Sequence, residues 1–125
     1  MRLSSLILSF VISISLNAQT KWEWTPTDTK WEFACESIII VDWLQTRYMS
    51  KHPDQFQEMG PDRNVFGRHP NISSVNQYFI ACEVLHPVIA RFLPEPARRV
   101  FQTGTIILEV GNSFHNVQIG VRLGW

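Results

Sequence analysis

Residues 31–49 read WEFACESIIIVDWLQTRYM and decide the fold, because they form a long apolar segment with one acid, Asp42, near its middle. The positions that recur at helical spacing, and so share one face, are Cys35, Ile38, Asp42, Gln45 and Met49. We therefore predict a first helix over about residues 29–50, with Asp42 on a mostly apolar face, one turn from Gln45 and Thr46.

Two later segments repeat this design, an apolar helix with an acid near its centre. The second helix is predicted over about residues 74–92 with Glu83, and the third over about residues 97–119 with Glu109. A polar stripe in the third helix comprises Thr105, Glu109, Asn112 and Asn116. The sequence thus predicts an all-α protein, in which an N-terminal signal or anchor segment precedes a three-helix bundle that crosses a membrane.

The central acids of the three helices are expected to meet. If the helices pack antiparallel, these acids lie at a similar height, and each shares its face with other polar groups. A lone buried carboxylate is very unfavourable, so such groups pair, accept hydrogen bonds or take up a proton. We expect one buried cluster that comprises Asp42, Gln45, Thr46, Glu83, His86, Glu109, Asn112 and Asn116. Three interpretations stay open: a structural network that fixes helix register, a pocket for a proton or small solute, and a metal site.

Metal binding has one specific signal in the sequence. Glu83 and His86 have the Glu-x-x-His spacing of carboxylate-bridged di-iron bundles, but those bundles use a second such pair and four helices. The candidate metal ligands are Asp42, Glu83, His86 and Glu109. No Ser-His-Asp order, glycine-rich phosphate loop or paired Cys-x-x-Cys is present, so an enzymatic activity is disfavoured and no cofactor is expected. An intramembrane enzyme that uses the central acids is a third interpretation of the function.

The N-terminus and the charge balance bear on where the protein acts. Residues 1–18 combine a positive charge, an apolar run and Ala18, which is typical of a secretory signal peptide, with a membrane anchor as the alternative. Residues 19–125 then form a single domain. Lys plus Arg and Asp plus Glu are 11 each, which argues against a nucleic-acid partner. Cys35 and Cys82 are compatible with a disulfide or with two buried thiols.

The predicted helices fit two settings. Each helix is long enough to span a bilayer, and most charges lie near helix ends, but a mean hydropathy of −0.05 is low for such a protein. The first interpretation is a small, non-enzymatic integral protein of the inner membrane, in contact with lipid and with a second copy or a membrane-protein partner. The alternative is an exported soluble helical domain, periplasmic or secreted, that binds a small ligand or metal at the acidic cluster.

Three short motifs favour the membrane interpretation. These are Asp42-x-x-Gln45-Thr46 in the first helix, Asp62-x-Asn64-x-x-Gly67 in the loop over residues 51–73, and Asn76-x-Tyr78-Phe79 in the second helix. Over about residues 30–123 the chain resembles a group of small uncharacterised membrane proteins from phages and bacteria. In their loop, Glu stands where this chain has Asp62, and Pro stands where it has Val65. The resemblance implies a multi-pass membrane protein and brings no activity with it.

Overall fold

The computed structural model describes residues 22–59 and 63–124, except for the side chain of Phe66. Its helices are α1 (Pro26–Lys51), α2 (Arg63–Phe66), α3 (Ile72–Phe92) and α4 (Glu95–Gln118). The described residues contain no strand, so the all-α prediction is confirmed. No helix among them is long and apolar enough to cross a membrane. The predicted signal or anchor over residues 1–18 lies outside the described residues, as does Asp62.

α1 begins at Pro26, before the predicted start at about residue 29, because Thr25 caps the helix. The Thr25 hydroxyl accepts a hydrogen bond from the backbone N–H of Asp28 at 3.2 Å. In return, the Asp28 carboxylate accepts from the backbone N–H of Thr25 at 2.9 Å. This reciprocal pair is a capping box, and proline suits the first helical position because an N–H there has no helical partner.

An asparagine and a proline set the bounds of the other two long helices. The Asn71 side chain caps α3, because it accepts from the backbone N–H of Ser74 at 2.8 Å. α3 ends at Phe92, and Pro94 in an extended conformation leads directly into α4. This short connection reverses the chain, as expected for helices that are neighbours in sequence.

α1 lies at the centre of the bundle. It packs along both α3 and α4, whereas α3 and α4 meet each other at few positions and leave a cleft between them. Asp28, near the start of α1, contacts Arg98, near the start of α4. Farther along, Asp42 contacts Asn116, so α1 and α4 run parallel. α3 returns in the opposite direction and completes an up-down-up arrangement.

The C-terminal residues fold back onto α1. Gly120 follows α4 with a φ of 92°, a backbone conformation that glycine adopts without strain. The N–H of Gly124 then donates to the carbonyl of Leu44 at 2.9 Å. A Cβ atom on Gly124 would lie 2.7 Å from the backbone nitrogen of Tyr48, so this close approach requires glycine.

The distribution of polar and apolar residues is inverted relative to an ordinary soluble domain. Among the described residues, the buried hydrophobic ones are Cys35, Ile39, Met49, Val75, Phe79, Ala90 and Val121. The buried polar or charged ones are more numerous: Asp28, Glu32, Asp42, Gln45, Thr46, Glu58, His86, Arg98, Gln102, Ser113 and Asn116. Large apolar side chains face outward instead, and Phe33, Phe92 and Val100 are each 74% exposed. The polar side chains that could form a functional site therefore lie inside the bundle.

Candidate functional site

Arg98 holds one end of the bundle together. Its side chain is 0% exposed, and its Nη1 donates to Oδ2 of Asp28 at 2.8 Å. Its Nε and Nη2 donate to the carbonyl oxygens of Ala90 and Leu93, both at 3.0 Å. Nη2 of Arg99 reaches the other carboxylate oxygen of Asp28 at 3.1 Å. Arg98 thus neutralises a buried acid and donates hydrogen bonds to two carbonyl oxygens at the end of α3.

Asp28 stays ionised at neutral pH although it is buried. Desolvation by burial raises its pKa, but hydrogen bonds from Thr25 and the charge and hydrogen bond of Arg98 together lower it by more. The pKa of Asp28 therefore lies below its ordinary value of 3.8. The carboxylate is a structural anchor, because it joins the N-terminal cap of α1 to the arginines of α4.

His86 occupies the centre of the network. Its Nδ1 lies 2.6 Å from Oε1 of Glu32, and its Nε2 lies 2.9 Å from the hydroxyl of Thr105. The amide of Gln102 donates to the other oxygen of Glu32 at 2.8 Å. Phe101 stacks on the imidazole, with 4.4 Å between the ring centroids. The ring is thus fixed in position by contacts with α1 and α4.

Cys35 and Glu36 bring further ligand atoms to His86. The thiol of Cys35 donates to the carbonyl of Gln102 at 3.3 Å. Oε1 of Glu36 lies 3.7 Å from Nδ1 of His86. Burial, together with the neighbouring carboxyls of Glu83 and Glu32, raises the pKa of Glu36 to about 9. Oε1 of Glu36 and Oε1 of Glu83 are buried atoms without a hydrogen-bond partner among the described residues.

This centre has the composition of a metal-binding site. Glu32, Cys35 and His86 are all buried, and each offers a ligand atom, with these atoms within 4.8 Å of one another. His86 belongs to the predicted metal candidates, whereas Glu32 and Cys35 do not. Cys35 and Cys82 are both free thiols, so neither is used in a disulfide.

A second polar group lies nearer the other end of the bundle, around Asp42. Nδ2 of Asn116 donates to Oδ1 of Asp42 at 3.4 Å and to Oε1 of Gln45 at 3.0 Å. Nε2 of Gln45 donates to the backbone carbonyl of Ser113 at 3.2 Å. Thr46, beside them on α1, is 0% exposed. These contacts join α1 to α4 and fix the register between the two helices.

The other predicted members of the cluster are less buried. Glu83 on α3 and Glu109 and Asn112 on α4 are all half-buried. Glu109 lines a cavity of about 280 Å³ in the cleft between α3 and α4, together with His86. A single cluster that unites Asp42, Glu83 and Glu109 stays a prediction, whereas the grouping of Asp42 with Gln45 and Asn116 is observed.

The described part of the loop motif shows a structural role for Gly67. This residue follows α2 with a φ of 81°, and its N–H donates to the carbonyl of Arg63 at 2.9 Å. Only glycine adopts this conformation readily, so Gly67 ends the short helix. Asn64, within α2, is exposed.

The sequence reasoning missed the residues at the Arg98 end and the centre of the network, although their spacing contains a signal. Counting back from Asp42 in steps of seven, three and four gives Cys35, Glu32 and Asp28, which are all buried on α1. Extending the polar stripe of α4 back from Thr105 by three and seven positions gives Gln102 and Arg98. The polar stripes thus run along most of both helices.

Comparison with known proteins identifies no relative: no protein-family model, no curated protein and no solved structure matches the chain. The resemblance to phage and bacterial membrane proteins therefore stays a prediction. The fold and the network by themselves define a helical bundle with a polar interior and an apolar exterior.

Proposed function

We propose that the chain is a small, non-enzymatic integral membrane protein, whose three long helices lie in the bilayer as one unit around a polar interior. The observation that carries this proposal is the exterior of the helices. Every exposed position within residues 31–50 of α1, 72–90 of α3 and 100–114 of α4 is uncharged. We call these three segments the apolar belt.

The belt presents many large apolar side chains on its exposed faces. Its exposed large apolar residues are Phe33, Ile40, Ile72, Ile80, Val84, Leu85, Val88, Ile89, Val100, Ile107, Leu108, Val110 and Phe114. Exposure of apolar area to water is unfavourable by about 25 cal/mol per Å². Monomeric soluble proteins rarely expose large contiguous apolar patches. Lipid chains around the belt would remove this surface from water.

The length of the belt suits a bilayer. At 1.5 Å per residue, its three segments are about 30, 28 and 22 Å long, against a hydrocarbon core of about 30 Å. Exposed charges resume at Lys30 and Arg91 at one end, and at Lys51 at the other end of α1. Uncharged exposed segments between charged ends are the pattern expected of helices that cross a bilayer.

Aromatic and cationic side chains gather at the Arg98 end of the belt. Arg91 and Arg98 lie over the ring of Trp24, at 5.2 and 5.0 Å from its centroid. Arg99 lies over Trp31 at 4.8 Å. Tryptophan and arginine are favoured at the membrane–water interface, where a ring is held in the apolar layer and a charge reaches water. This cluster is therefore suited to mark one interface.

The polar interior explains why a single helix has a modest apolar character while the bundle has an apolar exterior. On α4, Gln102 and Asn116 are buried against α1, whereas Ile107 and Leu108 are 66% and 61% exposed. Polar residues that face other helices do not meet lipid, so they are compatible with a membrane when their partners are present. According to this proposal, each helix is stable in the bilayer only when the other helices cover its polar face.

Binding, not catalysis, is the activity that suits such a bundle. The carboxylates of Asp28, Glu32 and Asp42 are held by other side chains of the network. We propose that the exposed faces of the belt contact lipid and, in addition, a membrane-protein partner or a second copy of the chain. The polar network then serves to hold the helices in a fixed register.

Fractionation of cells that produce the full chain tests the proposal. Membranes are washed with alkaline carbonate, which removes peripheral proteins, and the pellet is extracted with detergent. We expect the protein to remain in the washed pellet and to enter solution only with detergent. Mass analysis of the same sample would define the N-terminus and test cleavage near Ala18.

A soluble species would overturn the proposal. If the chain appears in the supernatant without detergent and is monomeric there, then the belt is tolerated in water and lipid is not its environment. If it appears in the supernatant as an oligomer, the belt is covered by other copies and the proposal also fails.

A further inference from the structure

We propose that Glu32, Cys35, Glu36 and His86 form a binding site for a thiophilic divalent transition-metal ion of the zinc type. The site lies between α1 and α3, on the inner side of the bundle. Because it depends only on side chains within the bundle, this inference goes beyond the proposed membrane function and does not require it.

The three buried ligand atoms are already close together. Sγ of Cys35 and the ligand atoms of Glu32 and His86 lie within 4.8 Å of one another. Zinc bonds of about 2.0–2.3 Å place tetrahedral ligand atoms roughly 3.3–3.8 Å apart. Small side-chain rotations therefore suffice to form the site. The residues stand on two rigid helices, with Glu32 and Cys35 one turn apart on α1.

Glu36 supplies the fourth ligand. Its Oε1 lies 3.7 Å from Nδ1 of His86, which is a suitable separation for two ligands of one ion. The same oxygen is buried and makes no hydrogen bond to any described residue. A buried acceptor without a donor is unfavourable, and a cation satisfies it. The resulting set has one sulfur, one nitrogen and two carboxylate oxygens, which suits zinc better than magnesium or calcium.

Hydrogen bonds from Thr105 and Gln102 orient two of the four ligands. With the metal on Nδ1 of His86, Nε2 carries the proton and donates it to the hydroxyl of Thr105, 2.9 Å away. The Gln102 amide holds the second oxygen of Glu32 at 2.8 Å, which leaves the first oxygen for the ion. Metal sites in proteins regularly use such outer hydrogen bonds to set the ring tautomer and the carboxylate direction.

A metal ion can reach the site from the cleft, and its binding releases protons from the ligands. His86 lines the cavity in the cleft between α3 and α4, so an ion can reach the imidazole from that side. Cys35 carries its proton in the hydrogen bond to the carbonyl of Gln102. Burial and the neighbouring carboxyls of Glu83 and Glu32 raise the pKa of Glu36 to about 9, so this carboxyl also carries a proton at neutral pH. Metal binding replaces the protons of Cys35 and Glu36, which pass to the buffer, so the affinity should increase with pH.

A titration with Co²⁺ tests the site, because cobalt bound to a thiolate gives a charge-transfer absorption in the near ultraviolet. The full chain is purified in detergent, stripped with a chelator and titrated with Co²⁺ and then with Zn²⁺. We expect about one Co²⁺ per chain with a thiolate band that Zn²⁺ abolishes. Cys35→Ser should lose the band, whereas the matched control Cys82→Ser should keep it.

Two further variants cover the possibility that Cys35→Ser does not fold. Glu36→Gln should weaken the affinity by about tenfold or more. Its helical circular dichroism should be unchanged, because Oε1 of Glu36 makes no hydrogen bond to a described residue. Thr105→Val should weaken the affinity about 10- to 100-fold. Absence of a thiolate band in the wild-type chain overturns the inference, as does equal affinity in the Glu36→Gln and Cys82→Ser chains. These results do not depend on whether the protein fractionates with membranes.

Discussion

At the scale of single residues, the side chain of Arg98 joins several parts of the fold through its hydrogen bonds. Its buried guanidinium, carried on α4, contacts both α1 and the end of α3. Removal of Arg98 leaves the buried Asp28 carboxylate with only the contact to the partly exposed Arg99 among the described arginines, and it takes a donor from the carbonyls of Ala90 and Leu93. We expect Arg98→Ala to lower the free energy of unfolding by about 3–5 kcal/mol.

Thermal unfolding in detergent, followed by helical circular dichroism, would measure this loss. Arg91→Ala is the matched control, because Arg91 also lies over Trp24 but is exposed and contacts no buried acid. The control should lose much less stability. Equal losses in the two variants would show that the ring contact, and not the buried ion pair, is the important interaction.

Asp28 predicts a pH dependence of stability. Its pKa in the folded chain lies below the ordinary value of 3.8, because Thr25 and Arg98 favour the carboxylate more than burial disfavours it. A lowered pKa contributes stability that is present above pH 3.8 and is lost as the pH falls through the folded pKa. We therefore expect the wild type to exceed Asp28→Asn in unfolding midpoint near pH 6, with a smaller difference near pH 3.

The measurement is a series of thermal unfolding curves at both pH values for wild type and Asp28→Asn. Asp54→Asn, a change in the exposed loop after α1, serves as the control and should leave the midpoint near pH 6 unchanged. A wild-type advantage that grows as the pH falls would contradict the assignment of Asp28 as an ionised anchor.

At the scale of elements, the docking of the C-terminal segment on α1 depends on one glycine. A methyl group on Gly124 would lie 2.7 Å from the nitrogen and 2.8 Å from the Cα of Tyr48, and backbone atoms of a helix do not move easily. We expect Gly124→Ala to destabilise the protein by about 1–3 kcal/mol. The change should also weaken the hydrogen bond from Gly124 to the Leu44 carbonyl.

The matched control is Gly111→Ala in α4, where a Cβ atom meets nothing within 4 Å. Alanine is a better helix former than glycine by about 1 kcal/mol, so this variant should be neutral or more stable. Unfolding midpoints of the two variants would be compared under one set of conditions. If Gly124→Ala proves as stable as Gly111→Ala, the C-terminal segment is not held against α1.

The long helices were predictable because periodicity, prolines and capping residues act locally. The rotation of α1 about its axis was also predictable for the most part, because four residues of the expected inner face are buried: Cys35, Asp42, Gln45 and Met49. What the sequence did not reveal is which isoleucine faces inward. Ile38 was expected on the inner face, but it is half-buried and its neighbour Ile39 is only 4% exposed. A face rich in isoleucine and valine gives little contrast in such a helix. The rotation is fixed instead by polar partners on α4, which lie far away in the sequence.

The candidate site was predictable only in part, because the sequence shows which residues are unusual in an apolar segment but not which of them meet. His86 and Asp42 were recognised because an ionisable group inside an apolar segment stands out. Glu32 and Cys35 were not, since they lie near the start of α1, where charged and small residues are common and uninformative. Their convergence on His86 is a product of tertiary packing.

At the scale of the whole molecule, the apolar belt predicts that a new charge on the exterior is harmful. Ile107 is 66% exposed, and in a soluble protein Ile107→Lys would change stability by no more than about 0.5 kcal/mol. In a bilayer, lysine at the centre of a helix costs about 2.5–3.5 kcal/mol. We therefore expect Ile107→Lys to reduce strongly the amount of protein retained in carbonate-washed membranes.

Leu123→Lys is the control, because Leu123 is 54% exposed but lies outside the belt. It should be retained like the wild type. The comparison requires equal synthesis of the chains, which total-cell immunoblots would establish. A fully retained Ile107→Lys chain would mean that this face of α4 does not meet lipid.

The parallel pairing of α1 with α4 has a consequence for biosynthesis. The hydrogen bonds that join these helices connect residues 67 to 74 positions apart in the chain. When α1 leaves the ribosome, the contacts of Asp28 with Arg98 and of Asp42 with Asn116 cannot form until α4 has been made, and contacts so distant in sequence form slowly. A chain stopped after residue 92 should therefore be degraded, although α1 and α3 are complete. The protein becomes stable only when the last of its long helices has been translated.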